Sequence, residues 1–83
     1  MNTEQLASPA VDARAIAQWE ALLRDEASLL DHPGSHHKAL LTQAYALHRD
    51  HIIDGDALSD FLEQADSALA YAIEAWFDRQ SGE

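Results

Sequence analysis

Apolar residues recur along this chain at the three- and four-residue spacing of amphipathic helices, and two interruptions divide the pattern into three segments. The first interruption is Pro33–Gly34 and the second is Asp54–Gly55–Asp56. Runs of β-branched residues and hairpin turn signals are missing from the sequence. The pattern predicts an all-α, single-domain bundle of three helices running up-down-up, at about residues 9–31, 35–53 and 56–79.

Capping residues place the predicted helix ends. Ser8 and Pro9 are typical of an N-cap and a first helical position, and Ser35 can cap the second helix. Gly55 is expected to adopt the left-handed conformation past the second helix, and Asp56 to cap the third.

The chain ends, residues 1–7 and 80–83, show no helical periodicity and are expected to be flexible.

The third predicted helix has an apolar face that covers about half of its circumference, more than one neighbouring helix pair is expected to bury. Small residues in a row let another helix backbone approach closely. We therefore expect self-association, most simply a two-fold dimer. An alternative is that alanine is frequent only because it is the best helix former. The residues expected at the interface are Phe61, Ala65, Ala68, Tyr71, Ala72, Ala75 and Trp76.

A second set of candidates consists of polar side chains that project near the apolar faces: Glu26, His37, His48, His51 and Asp66. His48 and His51 are three residues apart, so they share a helical face that could bind a cation. However, antiparallel folding places His48 on the order of 10 Å from Glu26 along the bundle, which is too far for a shared metal.

No metal site is therefore predicted. Because a buried carboxylate needs a partner, Glu26 is expected to pair with His37 or His36. The alternative is that Glu26 reaches the edge of a shallow core and is hydrated. His48 and His51 are expected at the rim, where at a dimer seam they could act as a pH switch.

Composition narrows the choice of partner and location. The 83 residues include no cysteine, so disulfides and thiolate metal sites are excluded. Fifteen acidic against five basic residues give a formal net charge of −10, which argues against nucleic acid as a ligand. The sequence offers neither a membrane-spanning apolar run nor a signal-peptide pattern, so no membrane contact and a cytoplasmic location are expected. One lysine among many alanines and aspartates suggests a bacterial source.

Catalytic constellations and phosphate-binding loops are also missing, so neither an enzyme nor a cofactor is expected. The leading interpretation is a small acidic, non-enzymatic protein-interaction module, such as a regulator, adaptor or accessory chaperone. It would act as a homo-oligomer with a protein partner that could be basic. Its anchors would be Trp19, Tyr71, Trp76 and Phe77 where they are exposed. The alternative is a metal- or small-ligand-binding bundle that uses the polar residues named above.

Overall fold

The computed structural model describes the backbone of residues 3–81 and the side chains of residues 10–80. The described elements are four helices: α1 (Thr3–Leu23), α2 (Glu26–Asp31), α3 (Pro33–Arg49) and α4 (Gly55–Ser81). The predicted all-α class is confirmed. The chain forms an elongated body of 64 × 21 × 15 Å. This length exceeds the roughly 40 Å of α4, the longest described helix, so the helices are offset along the long axis.

The first predicted helix, 9–31, is divided in the structure. The chain leaves α1 after Leu23, and Asp25 caps a new helix. The Asp25 carboxylate accepts hydrogen bonds from the Ser28 backbone N–H at 3.3 Å and from Ser28 Oγ at 2.9 Å. These two bonds lower the pKa of Asp25 below its usual value. A single helix over this stretch is wrong, because the capping side chain satisfies backbone donors that a continuous helix would have bonded internally.

The junction between α2 and α3 is only one residue long. α2 ends at Asp31, and His32 separates it from Pro33, which is the first residue of α3. The predicted stop is therefore confirmed, but Ser35 does not cap the next helix. Proline favours the first helical position because its missing N–H would have no intrahelical partner there.

α1 also begins earlier than predicted. Thr3 is its first residue and Pro9 its seventh, so the expected N-cap role of Ser8 is wrong. Residues 4–7 include good helix formers, which favour extending the helix toward the N-terminus. Of the ends expected to be flexible, residues 1, 2, 82 and 83 lie outside the described residues, and residues 3–7, 80 and 81 are helical.

The left-handed residue in the turn from α3 to α4 is not the one predicted. His51 has φ 63°, the left-handed conformation expected for Gly55. The Ile52 N–H donates to the Leu47 carbonyl at 2.8 Å, and the His51 N–H donates to the His48 carbonyl at 3.0 Å. This is a Schellman motif, in which Leu47 and Ile52 occupy the positions that make its hydrophobic contact.

The cap of α4 lies two residues earlier than predicted. The Asp54 carboxylate accepts the Ala57 N–H at 2.8 Å, so Asp54 caps the helix that was expected to be capped by Asp56. Gly55 follows as the first residue of α4 with φ below zero.

Trp19 occupies the centre of the core, with 1% of its surface exposed. Its indole N–H donates to the Leu40 carbonyl at 2.9 Å, and its ring stacks on Phe61 with centroids 4.2 Å apart. Trp19 therefore joins α1 to both α3 and α4. The other buried members of the cluster are Leu40, Ala44, Leu47, Ile53, Phe61 and Ala65.

The two helices that meet at the Schellman turn differ in length. α3 has 17 residues and α4 has 27, so α4 continues about 15 Å beyond the start of α3. The short helix α2 packs against α4 in this region. Leu30 of α2 and the side chains of Ala72 and Ala75 line one small cavity there.

Candidate functional site

The five residues predicted as a polar cluster do not converge. Glu26 starts α2, His37 lies early in α3, and Asp66 lies near the middle of α4. His48 and His51 lie together at the other end of α3. In the part of the chain that the structure describes, no group of three His, Cys, Asp or Glu side chains could hold a metal ion.

One contact within the predicted cluster is present. His37 Nε2 lies 2.9 Å from the Asp66 carboxylate, joining α3 to α4. Asp66 is largely exposed, so this pair contributes little to stability.

The pairing expected for Glu26 is wrong. The hydroxyl of Tyr71 donates to the Glu26 carboxylate at 2.6 Å. The break before α2 carries Glu26 off the α1 face and onto an exposed first turn, away from both histidines. The hydrogen bond and the negative charge of Glu26 raise the pKa of Tyr71.

His36 makes a different contact. It is 4% exposed, and its Nε2–H donates to the Leu22 carbonyl at 2.6 Å, so it fastens α3 to the end of α1. Its Nδ1 is buried without a hydrogen-bond partner. A proton on Nε2 fits this environment, because the Leu22 carbonyl is an acceptor there and Nδ1 faces none.

A groove of about 640 Å³ lies between α2 and α4 beside the Glu26–Tyr71 bond. Leu23, Leu29 and Ala68 form its apolar part. Its polar lining mixes Arg24 with two carboxylates, Glu26 and Glu63.

His48 and His51 line another groove with residues 52–55. Both side chains are exposed, as expected for rim positions.

The residues predicted at the interface divide into two groups. Phe61, Ala65 and Ala72 are buried within the chain itself, and Ala68 and Ala75 are partly buried. Phe61, Ala65 and Ala72 therefore leave no surface for a second copy in this fold, so their predicted place at an interface is wrong, whereas the interface role of Ala68 and Ala75 stays a prediction. Tyr71 and Trp76 are exposed, each at 50%.

Three of the large hydrophobic side chains that are exposed among the described residues lie together at the C-terminal end of α4. Ile73, Trp76 and Phe77 are 43%, 50% and 56% exposed, and the Trp76 and Phe77 rings meet edge to face at 5.5 Å. They border a groove of about 490 Å³ whose other side is Leu30 and Pro33. We call these five residues the Trp76 patch.

Charged side chains surround this patch unevenly. Asp31 and Arg79 line the groove, and Glu74 and Asp78 are exposed neighbours on α4. Among the described side chains, Glu74 and Asp78 form no ion pair. The surroundings of the Trp76 patch are therefore acidic overall.

The sequence analysis identifies Trp76 and Phe77 as anchors but does not single out Ile73. It did not identify Leu30 and Pro33 as the facing wall. The relevant signal was the difference in predicted helix length, since helix 56–79 is longer than helix 35–53. A longer antiparallel helix must extend past its neighbour.

Trp19, the remaining predicted anchor, is buried and cannot contact a partner. No described helix is long and apolar enough to cross a membrane. Comparison of the chain with protein-family models, with curated proteins and with solved structures finds no match.

Proposed function

We propose that this chain is a small acidic, non-enzymatic protein-interaction module, and that the Trp76 patch is its docking surface. The observation that carries this proposal is the exposure of Ile73, Trp76 and Phe77 side by side along a groove. Tryptophan and other aromatic residues are enriched among the side chains that dominate binding energy at interfaces. A groove between two helices is also the surface on which a partner helix can lie.

Other exposed apolar side chains do not support a competing surface as strongly. Val11 lies on α1 and Tyr45 on α3, without the neighbouring aromatic pair and facing wall of the Trp76 patch. Single exposed hydrophobic residues are normal on soluble proteins, whereas contiguous patches mark interaction sites.

Self-association is the second candidate function, supported by the exposure of Tyr71 and Trp76, two of the predicted interface residues. A dimer through α4 would use Tyr71 and the Trp76 patch, since Ala65 and Ala72 are buried within the chain itself. The net charge of −10 on each copy opposes this pairing at low salt.

The metal- or ligand-binding alternative receives less support. His48 and His51 are remote from the His37–Asp66 pair, and Glu26 is engaged by Tyr71.

Site-specific photocrosslinking in the native host tests the docking proposal. A photoreactive residue at Gln80, one turn beyond Trp76 on an exposed position, should trap a defined protein. Adding Trp76→Ser should remove that product while leaving the circular dichroism spectrum unchanged, because Trp76 is half exposed. The matched control carries the same probe with Tyr45→Ser, which alters another exposed aromatic on α3. Crosslinking that persists with Trp76→Ser, or that is lost equally with Tyr45→Ser, would contradict the proposal.

A further inference from the structure

The charges near the Trp76 patch indicate which kind of surface can cover it. Glu74 and Asp78 lie one helical turn apart on the same side of α4, outside the groove and beyond its Phe77 edge rather than beside Trp76. Asp31 contributes a third carboxylate from the opposite wall, where it lies 3.3 Å from His32 Nδ1, and Arg79 is the cation that lines the groove. A partner that buries Trp76 and Phe77 therefore brings its own polar residues close to at least three carboxylates.

A second copy of the chain is poorly matched to this arrangement. In a two-fold dimer the same surface faces itself, so Glu74 and Asp78 would approach their own equivalents. Like charges brought together at an interface oppose association and select against that partner.

The described secondary structure also narrows the mode of docking. The described part of the chain contains helices and no strand, so no sheet edge is offered for a partner strand to extend. The groove that the Trp76 patch borders can instead receive an amphipathic helix, whose apolar side chains lie at spacings of three, four and seven residues.

We infer that the Trp76 patch binds a cationic amphipathic helix of another protein. Its apolar side chains cover Ile73, Trp76 and Phe77, and its lysine or arginine side chains lie beside Asp31, Glu74 and Asp78. This inference rests on the proposed function, because it names the chemistry of the partner that docks there. The exposed aromatics span about one turn of α4, so the contact is small and belongs to the weak, transient class of interfaces.

Synthetic peptides of defined charge test the inference directly. The first probe is a 16-residue helix of leucine and lysine, with leucines at helical spacing. The second replaces every lysine with glutamate, and the third replaces every lysine with glutamine. We expect micromolar binding of the lysine peptide, weaker by about fivefold or more at 300 mM than at 50 mM NaCl. The glutamate peptide should bind at least about tenfold more weakly than the lysine peptide.

A matched pair of protein variants separates local recognition from general attraction to an acidic protein. Glu74→Gln with Asp78→Asn removes two charges beside the Trp76 patch. Asp60→Asn with Glu63→Gln removes one aspartate and one glutamate about 20 Å away along the same helix. The first variant should weaken binding of the lysine peptide by about threefold to tenfold at low salt, and the second by less than about twofold. Equal losses in the two variants would overturn the inference.

The Trp76→Ser variant distinguishes failure of this inference from failure of the proposed function. Suppose Trp76→Ser abolishes binding of all three peptides, and the lysine and glutamine peptides bind the wild type equally well. The docking surface then stands and the cationic partner is refuted. Unchanged binding of the lysine peptide to Trp76→Ser would instead refute both. Sedimentation of the wild type as a dimer that Trp76→Ser dissociates would assign the Trp76 patch to a second copy and overturn the inference.

Discussion

Trp19→Phe tests whether one aromatic side chain joins three helices as the structure indicates. Phenylalanine keeps a ring that can stack on Phe61, but it removes the N–H that donates to the Leu40 carbonyl. It also leaves the space of the missing part of the indole unfilled, because Trp19 is 1% exposed and water does not reach it. The matched control is Trp76→Phe, the same substitution at a half-exposed position.

Three contributions set the expected loss in the free energy of unfolding. The lost hydrogen bond is worth about 1 kcal/mol, since the Leu40 carbonyl stays within the helical hydrogen bonding of α3. Roughly 40 Å² less buried apolar surface contributes about 1 kcal/mol. A residual gap of up to roughly 40 Å³ adds up to about 1 kcal/mol. The total is about 2–3 kcal/mol, a large fraction of the roughly 4–12 kcal/mol expected for a chain of this length.

Urea denaturation followed by circular dichroism measures this difference. With a slope of about 1 kcal/mol per molar urea, Trp19→Phe should lower the midpoint by about 2 M or more. Trp76→Phe should change it by less than about 0.5 M, as expected for surface substitutions. Fluorescence adds an independent readout, because Trp76→Phe leaves only the buried indole and should give blue-shifted emission. Midpoints that move equally in the two variants would refute the central position of Trp19.

Further predictions concern the caps and the exposed hydrogen bond. Asp25→Ala should lower the melting temperature at pH 7, because the N-cap of α2 is lost. The folded pKa of Asp25 is depressed, so its contribution is present above pH about 3.8 and disappears as the pH falls through the folded pKa. Melts at decreasing pH should therefore converge for the two proteins, and a constant difference would argue against the cap. His51→Gly should stabilise the fold by about 1 kcal/mol in urea, since glycine tolerates positive φ, whereas His51→Ala should give no such gain. Glu26→Gln should lower the pKa of Tyr71 toward 10.0 in an ultraviolet titration; an unchanged curve would exclude the Tyr71–Glu26 bond. Because the folded pKa of Tyr71 is raised, the stability linked to it is present below pH about 10 and is lost as the pH rises through the folded pKa.

The helical class and the longest helix could be predicted from apolar spacing alone. The predicted range 56–79 lies within two residues of α4 at each end. The break at Asp25 could not be predicted, because an aspartate on an exposed helical position and an aspartate at an N-cap look the same in sequence. What decides between them is whether the following turn finds a place to pack, and Leu29 of α2 is buried at 4% exposure.

Local propensity also predicts the left-handed conformation at the wrong residue, Gly55 instead of His51. Glycine is the residue that adopts positive φ at least cost, so Gly55 was the natural choice. The Schellman motif instead places Leu47 and Ile52, five residues apart, at its hydrophobic contact positions. Packing of that contact against the core fixes His51 in the conformation that its own side chain does not favour.

Only some of the contacts among the candidate site residues could be predicted, and the reason is geometric. Projection onto helical faces identifies which side of a helix a residue occupies, but not which layer of the bundle it reaches. His37 and Asp66 do meet, whereas Glu26 changes face when α1 ends early. The broad apolar face of α4 packs against α1 and α3, and part of it is also covered by α2 of the same chain.

The remaining exposure on α4 follows from the lengths of the helices. α2 has six residues, about 9 Å of helix, while α4 extends about 15 Å beyond the start of α3. α2 can therefore cover Ala72 and leaves Trp76 and Phe77 half exposed. These two aromatics add little to the core. The buried cluster is centred on Trp19, which stacks on Phe61, and Phe61 lies about 20 Å from Trp76 and Phe77 along α4. Folding buries only about half of each ring at this end of the helix, and a partner that covers them gains the transfer of the other half from water.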